Sequence, residues 1–180
     1  MKTIAFLAVM VLPCFVFAQP KGYYGSLGYQ GSTIFHPGFS IGVSKELASG
    51  GAHQLLSGVQ VGAYFHSRMH TGLYAGPYTE WLCTAPRGFQ FGMDLPLGYL
   101  RTFIPQVYGT GPSGEVQFQP MAGNGYFFLM PGFRLGRKTK RGGLIESWYV
   151  KNKLMIITPH AFGPGFRYFL EIGITHRLQS

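Results

Sequence analysis

The stretch "YFHSRMH", Tyr64 to His70, carries the densest set of groups in the chain that could do chemistry. A serine hydroxyl becomes a nucleophile when an imidazole within about 2.6–3.2 Å takes its proton and a carboxylate orients that imidazole. His66 and Ser67 are the candidates for such a pair. As chain neighbours in an extended segment their side chains point to opposite faces. They therefore read better as polar residues at the rim of a sheet than as base and nucleophile. A second chemistry is metal binding by neutral imidazoles. His36, His66, His70 and His160 all fall in or beside connections at one end of the pattern below, and His66 and His70 could face each other across a short hairpin. Zinc sites normally fix each ligand through further hydrogen bonds, and the plainer reading is histidine in wet loops. No metal or other cofactor is expected.

The carboxylates Glu80, Asp94 and Glu171 could suggest acid–base work, since perturbed carboxylates mark many active sites. Unpaired buried charge is costly, however. The better expectation is an interior polar network in which these three pair with Arg134 and Arg177. Tyr64, Tyr74 and Tyr78 fit the same filling role. The chain has no phosphate loop, no paired-cysteine motif and no HExxH zinc helix.

The elements that must position these groups follow from one repeated pattern. "TGLYAGPYTEW" (Thr71–Trp81), taken with a period of two, places Leu73, Ala75, Pro77, Thr79 and Trp81 on one face. Gly72, Tyr74, Gly76, Tyr78 and Glu80 lie on the other. The same alternation of apolar with small or polar residues recurs over Gly22–Gln30, Phe39–Leu47, Gln54–Phe65, Phe89–Phe103, Phe127–Gly136 and Leu144–Ile157, and in the closing "YFLEIGITHRL". That makes eight candidate strands. Alternation weakens at Lys151–Lys153, as a bulge would cause. Pro77, Pro96 and Pro131 fall inside proposed strands, where proline cannot donate to the ladder. They imply bulges or misplaced limits.

Strands of this kind form either a soluble sandwich or a barrel in lipid. Only 12% of the residues are charged, against about 25% in soluble domains, while 16% are aromatic and 27 of 180 are glycine. A sandwich would carry lysine and glutamate on its polar faces; these carry glycine, serine, tyrosine and glutamine. The pattern therefore predicts an all-β fold, an eight-stranded antiparallel transmembrane β-barrel with short periplasmic turns and the Leu73 face toward lipid. Trp81, Tyr99 and Tyr23 suit the headgroup level. The net charge is +9, four of the basic residues lie in "RKTKRGG", a solvated turn, and nucleic acid is not an expected partner.

Residues 1–18 have the form of a cleaved export signal, with Lys2, an apolar run from Ile4 to Phe17 and Val16-Phe17-Ala18 as cleavage site. Residues 19–180 are then one barrel domain. Pro13 disfavours lipid attachment at Cys14, and Cys83 is left as a lone cysteine without an internal disulfide partner.

In "HPGFSIGVSKEL", "TGLYAGPYTEW", "LPLGYLRTF" with "PQVY", and "RYFLEIGITHRL", the chain resembles the small outer-membrane β-barrel proteins of Gram-negative bacteria, the broad OmpA/OmpX-like group. The resemblance implies outer-membrane location, contact with membrane lipid and lipopolysaccharide, and recognition by the barrel-assembly machinery. It also implies a non-enzymatic structural, adhesion or surface-interaction role, with any extracellular ligand unknown. Such proteins commonly end on an aromatic residue, whereas this sequence ends Leu178-Gln179-Ser180. Some barrels of similar size deacylate or acylate lipid A, which keeps a lipid-modifying enzyme as the alternative. The adjacent His66 and Ser67 do not match the His-x-Ser of the lipid A deacylases. A secreted soluble sandwich that binds a ligand is the third expectation.

Overall fold

Period-two segments rich in β-branched and aromatic residues should pair edge to edge, and their unpaired edges should be removed or covered. The computed structural model describes residues 22–31, 37–66, 70–104, 108–110, 114–118, 123–139, 144–158 and 164–179. It shows strands β1 (Tyr23–Gly31), β2 (Pro37–Gly50), β3 (His53–His66), β4 (His70–Thr84) and β5 (Phe89–Phe103), then a small hairpin of β6 (Tyr108–Thr110) and β7 (Val116–Phe118). There follow β8 (Gly125–Leu129), β9 (Gly132–Lys138), β10 (Ser147–Thr158) and β11 (Gly165–Gln179). Nine of these make a single antiparallel sheet, and β1 pairs with β11 from Tyr23 to Gly31. The sheet thereby closes into a ring rather than folding into two facing layers.

The strand count differs from the sequence expectation at one place. The predicted sixth strand, Phe127–Gly136, is two strands, β8 and β9, which pair one after the other with the same neighbours β5 and β10. Pro131 stands between them and cannot donate to either side. Its carbonyl still accepts from Leu154 N at 3.0 Å, and Met130 N donates to the Pro96 carbonyl at 2.8 Å. Pro77 and Pro96, by contrast, lie inside β4 and β5 without breaking them. There the ladder skips Gly76, Pro77, Leu97 and Gly98 but resumes in the same register, from Ala75↔Tyr99 to Tyr78↔Pro96. The two backbones come together at this point: a Cβ on Gly76 would meet the Leu97 carbonyl oxygen at 1.9 Å. The β6–β7 hairpin was not foreseen, because three-residue strands carry too little alternation to register.

A second correction concerns β10. Its pairing with β11 runs unbroken from Ser147↔Thr175 to Ile157↔Gly165, so there is no bulge at Lys151–Lys153. Both lysines face inward and are buried, with Asn152 outward between them. The register shifts that do occur lie at Glu46/Ala48 and at Tyr23/Tyr24.

The faces segregate as the alternation requires. Leu73, Ala75, Pro77, Thr79 and Trp81 are all exposed, while Gly72, Tyr74, Tyr78 and Glu80 are buried inside the ring. Small residues make the interior possible. Gly62 and Gly72 pair with Tyr74 and Tyr64, and a Cβ at either glycine would fall 2.2–2.3 Å from the opposed ring. The turn after β2 needs its glycine for a different reason: Gly51 has φ of 58°, where a side chain is strained.

Candidate functional site

The inside of the ring is filled in three layers. Toward the end where β1 begins and β11 finishes (the terminal end), Tyr24, Leu56 and Leu82 cluster, and the Tyr24 hydroxyl donates to Glu46 Oε2 at 3.1 Å. At the opposite end Tyr64, Tyr74, Leu100, Phe128, Met130, Met155, Ile157 and Phe169 form an apolar plug. Between them lies a chain of buried charges.

That chain is continuous. Arg134 Nη1 donates to Glu80 Oε1 at 3.1 Å, and Lys151 Nζ reaches the same oxygen at 2.9 Å. Lys151 also donates to Asp94 Oδ2 at 2.9 Å. Lys153 lies 3.9 Å from Asp94 Oδ2 and donates to Glu171 Oε2 at 2.6 Å. Three cations thus meet three carboxylates, which removes most of the cost of burying them. Neighbouring polar groups extend the chain, while Asp94 Oδ1 and Arg134 Nε stay buried without a hydrogen-bond partner among the described residues. Tyr149 donates to Glu171 Oε1 at 2.8 Å, Arg134 Nη2 donates to Ser147 and Thr175, and the Arg134 guanidinium lies 4.4 Å over the Tyr149 ring. Every member sits on an inward position of β4, β5, β9, β10 or β11, so the strand period itself aims the charges at one another.

The structure brings Glu80, Asp94, Glu171 and Arg134 together. It does not bring Arg177, which is exposed near the terminal end with its guanidinium 6.0 Å over the Tyr24 ring. Lys151 and Lys153 hold the places that sequence reasoning reserved for arginine alone. Their spacing of two, in phase with Tyr149, was the signal available.

At the mouth opposite the termini a different group assembles. His66 and His70 are partners across the β3–β4 hairpin, their rings stacked at 5.5 Å and 8°. Arg167 reaches across from β11, donating to the Tyr64 hydroxyl at 2.5 Å and contacting His70 Nε2. Tyr64, His66, His70, Arg167 and Phe169 line a cavity of about 310 Å³ there. Arg167 was missed because the closing strand was begun at Tyr168; it shares the inward phase of Phe169 and Glu171. Ser67, His36 and His160 lie outside the described residues. Among the described residues no group of three potential ligands is placed to hold a metal ion.

No family model matches this chain, and no curated protein does. Among solved structures it is similar to the N-terminal β-barrel domain of Pseudomonas aeruginosa OprF, at 11% identity and a TM-score of 0.42, over 87% of this chain and 99% of that one. It is also similar to the β domain of the Bordetella autotransporter Brka, at 12% identity and a TM-score of 0.32, over 86% and 98% of the two chains.

Proposed function

We propose that this chain is an integral outer-membrane protein with a structural, adhesion or surface-interaction role, carried by a sealed barrel of eight staves. β8 and β9 count as the two halves of one stave, since they share both neighbours. The observation that carries the reading is the outward face. A closed ring with charges inside presents a continuous exterior of large apolar side chains. Val43, Val59, Val61, Leu95 and Ile172 occupy mid-strand positions, with Tyr23, Trp81 and Trp148 toward the terminal end. Tyr29, Tyr99 and Tyr168 lie toward the other. An aliphatic band between two aromatic girdles fits a bilayer and its two interfaces. In water so large a patch would drive association.

Residues 1–18 serve on this reading as the cleaved export signal, membrane lipid and lipopolysaccharide surround the band, and the barrel-assembly machinery inserts it. On this reading the end where β1 begins and β11 finishes faces the periplasm, since two of its three connections, Gly51–Ala52 and Ala85–Gly88, are short and the long β5–β8 connection lies opposite. The interior charges act as structural filler, and an eight-stave ring packed this way leaves no wide channel.

Cell fractionation followed by electrophoresis with and without heating tests the reading. The protein should appear in the outer-membrane fraction and change mobility on boiling. Recovery as a soluble periplasmic protein with one mobility would overturn it.

A further inference from the structure

The charge matching of the middle layer stops short of the outer mouth. Arg134, Lys151 and Lys153 are each met by carboxylates. Arg167, half-buried at the mouth, has no carboxylate within ion-pair distance among the described residues. Its protein contacts are the Tyr64 hydroxyl, His70 Nε2 and the Tyr64 ring, whose centre lies 5.0 Å from the guanidinium carbon. Both hydrogen-bond contacts use Nη1. The donors on Nη2 and Nε are therefore left without a protein acceptor among the described residues.

We propose that the mouth cavity binds the phosphate group of a small phosphorylated ligand, with Arg167 as its anchor. A guanidinium presents a planar fork that matches phosphate oxygens two at a time. Tyr64 and His70 hold that fork by one nitrogen and so pre-orient the rest. The His66 ring, stacked on that of His70, lies beside it. A doubly charged, oxygen-rich anion answers this set better than a neutral ligand does. The cavity of about 310 Å³, walled on one side by Phe169, lies at the small end of the range for ligand sites. One sugar-sized ring with its phosphate fills it. Either a free sugar phosphate or the phosphorylated headgroup of a surrounding lipid could supply that chemistry.

The test titrates purified full-length protein in zwitterionic detergent with glucose 1-phosphate and with glucose, read by calorimetry. Each sample is first checked for its heat-dependent gel shift, so loss of the fold is distinguished from loss of the site. Glucose 1-phosphate should bind and glucose should not. Arg167→Gln should weaken binding roughly tenfold or more, and Arg167→Lys by less, as expected for a charge-assisted fork. Tyr64→Phe, which removes one of the two groups holding the fork, carries the same test if Arg167→Gln does not fold. Arg137→Gln, at the opposite end of the strands, should change nothing. The titration is then repeated in phosphatidylcholine nanodiscs with and without phosphatidic acid. Weaker glucose 1-phosphate binding in the presence of phosphatidic acid assigns the site to a lipid headgroup; unchanged binding assigns it to a free ligand. Absence of phosphate-dependent binding to the folded wild type, or equal binding by folded Arg167→Gln, overturns the proposal.

Discussion

Lys153 shows what single residues contribute here. It is 1% exposed and connects Asp94 to Glu171, so its charge has no access to bulk water. Removing one partner of a buried pair leaves an uncompensated charge, at a cost of about 3–5 kcal/mol, whereas removing both can be nearly neutral. Lys153→Met should therefore lower the midpoint of urea unfolding in lipid vesicles, and adding Glu171→Gln should recover much of the loss. Additive losses in the double variant would show that the two do not act as a pair. The carboxylates of this network were legible because each sits on the small-residue face of a clearly alternating strand. The lysines were not. Outward Asn152 and inward Met155 invert the usual apolar–polar sense around them, so the period was hidden although the backbone is regular. His66 and His70 were legible as a facing pair from the short hairpin alone, but their neighbour Arg167 required the closure of β11 across the ring.

Within elements, the two faces of each strand meet different environments, and substitutions should separate them. Arginine at Val61 or Ile172, exposed on the outer face at mid-strand, should reduce insertion by about 2–4 kcal/mol, and at Leu73, nearer the rim, by less. That loss is measured as the folded fraction after dilution into vesicles. Gly76→Ala fails for another reason: its Cβ would collide with the Leu97 carbonyl, so β4 and β5 must part even without added charge. Wild-type folding by Gly76→Ala would refute the close strand approach. Faces were legible over β2 to β5, where alternation is strong, whereas alternation in β1 is weak and the ends of β2 and β4 extend up to three residues beyond the pattern. The division at Pro131 was visible only as a conflict. Sequence shows that proline cannot donate; it does not show whether neighbouring strands absorb the defect, as at Pro77 and Pro96, or split, as between β8 and β9.

For the molecule as a whole, ring closure and a filled interior have two consequences. The first is that an apolar plug, a balanced charge layer and a second apolar cluster lie in series along the axis, so the protein should show no steady conductance in planar bilayers. Long-lived open steps from the purified protein would mean that one layer is displaced in the membrane. The second is orientation. Closure was the least legible feature, because no local pattern encodes that the first strand pairs with the last; only the lack of surface charge implied that the outer face is not meant for water. The most direct measurement is spin-label accessibility in vesicles, with nitroxides placed in a Cys83→Ser background at Val61, Leu73 and Ile172 and, facing inward, at Ser40 and Thr175. The account predicts that the three outer labels relax strongly with oxygen and weakly with a water-soluble nickel chelate, while the inner pair respond little to oxygen. Strong chelate access to the outer labels, or oxygen reaching the inner pair in preference to them, would contradict it.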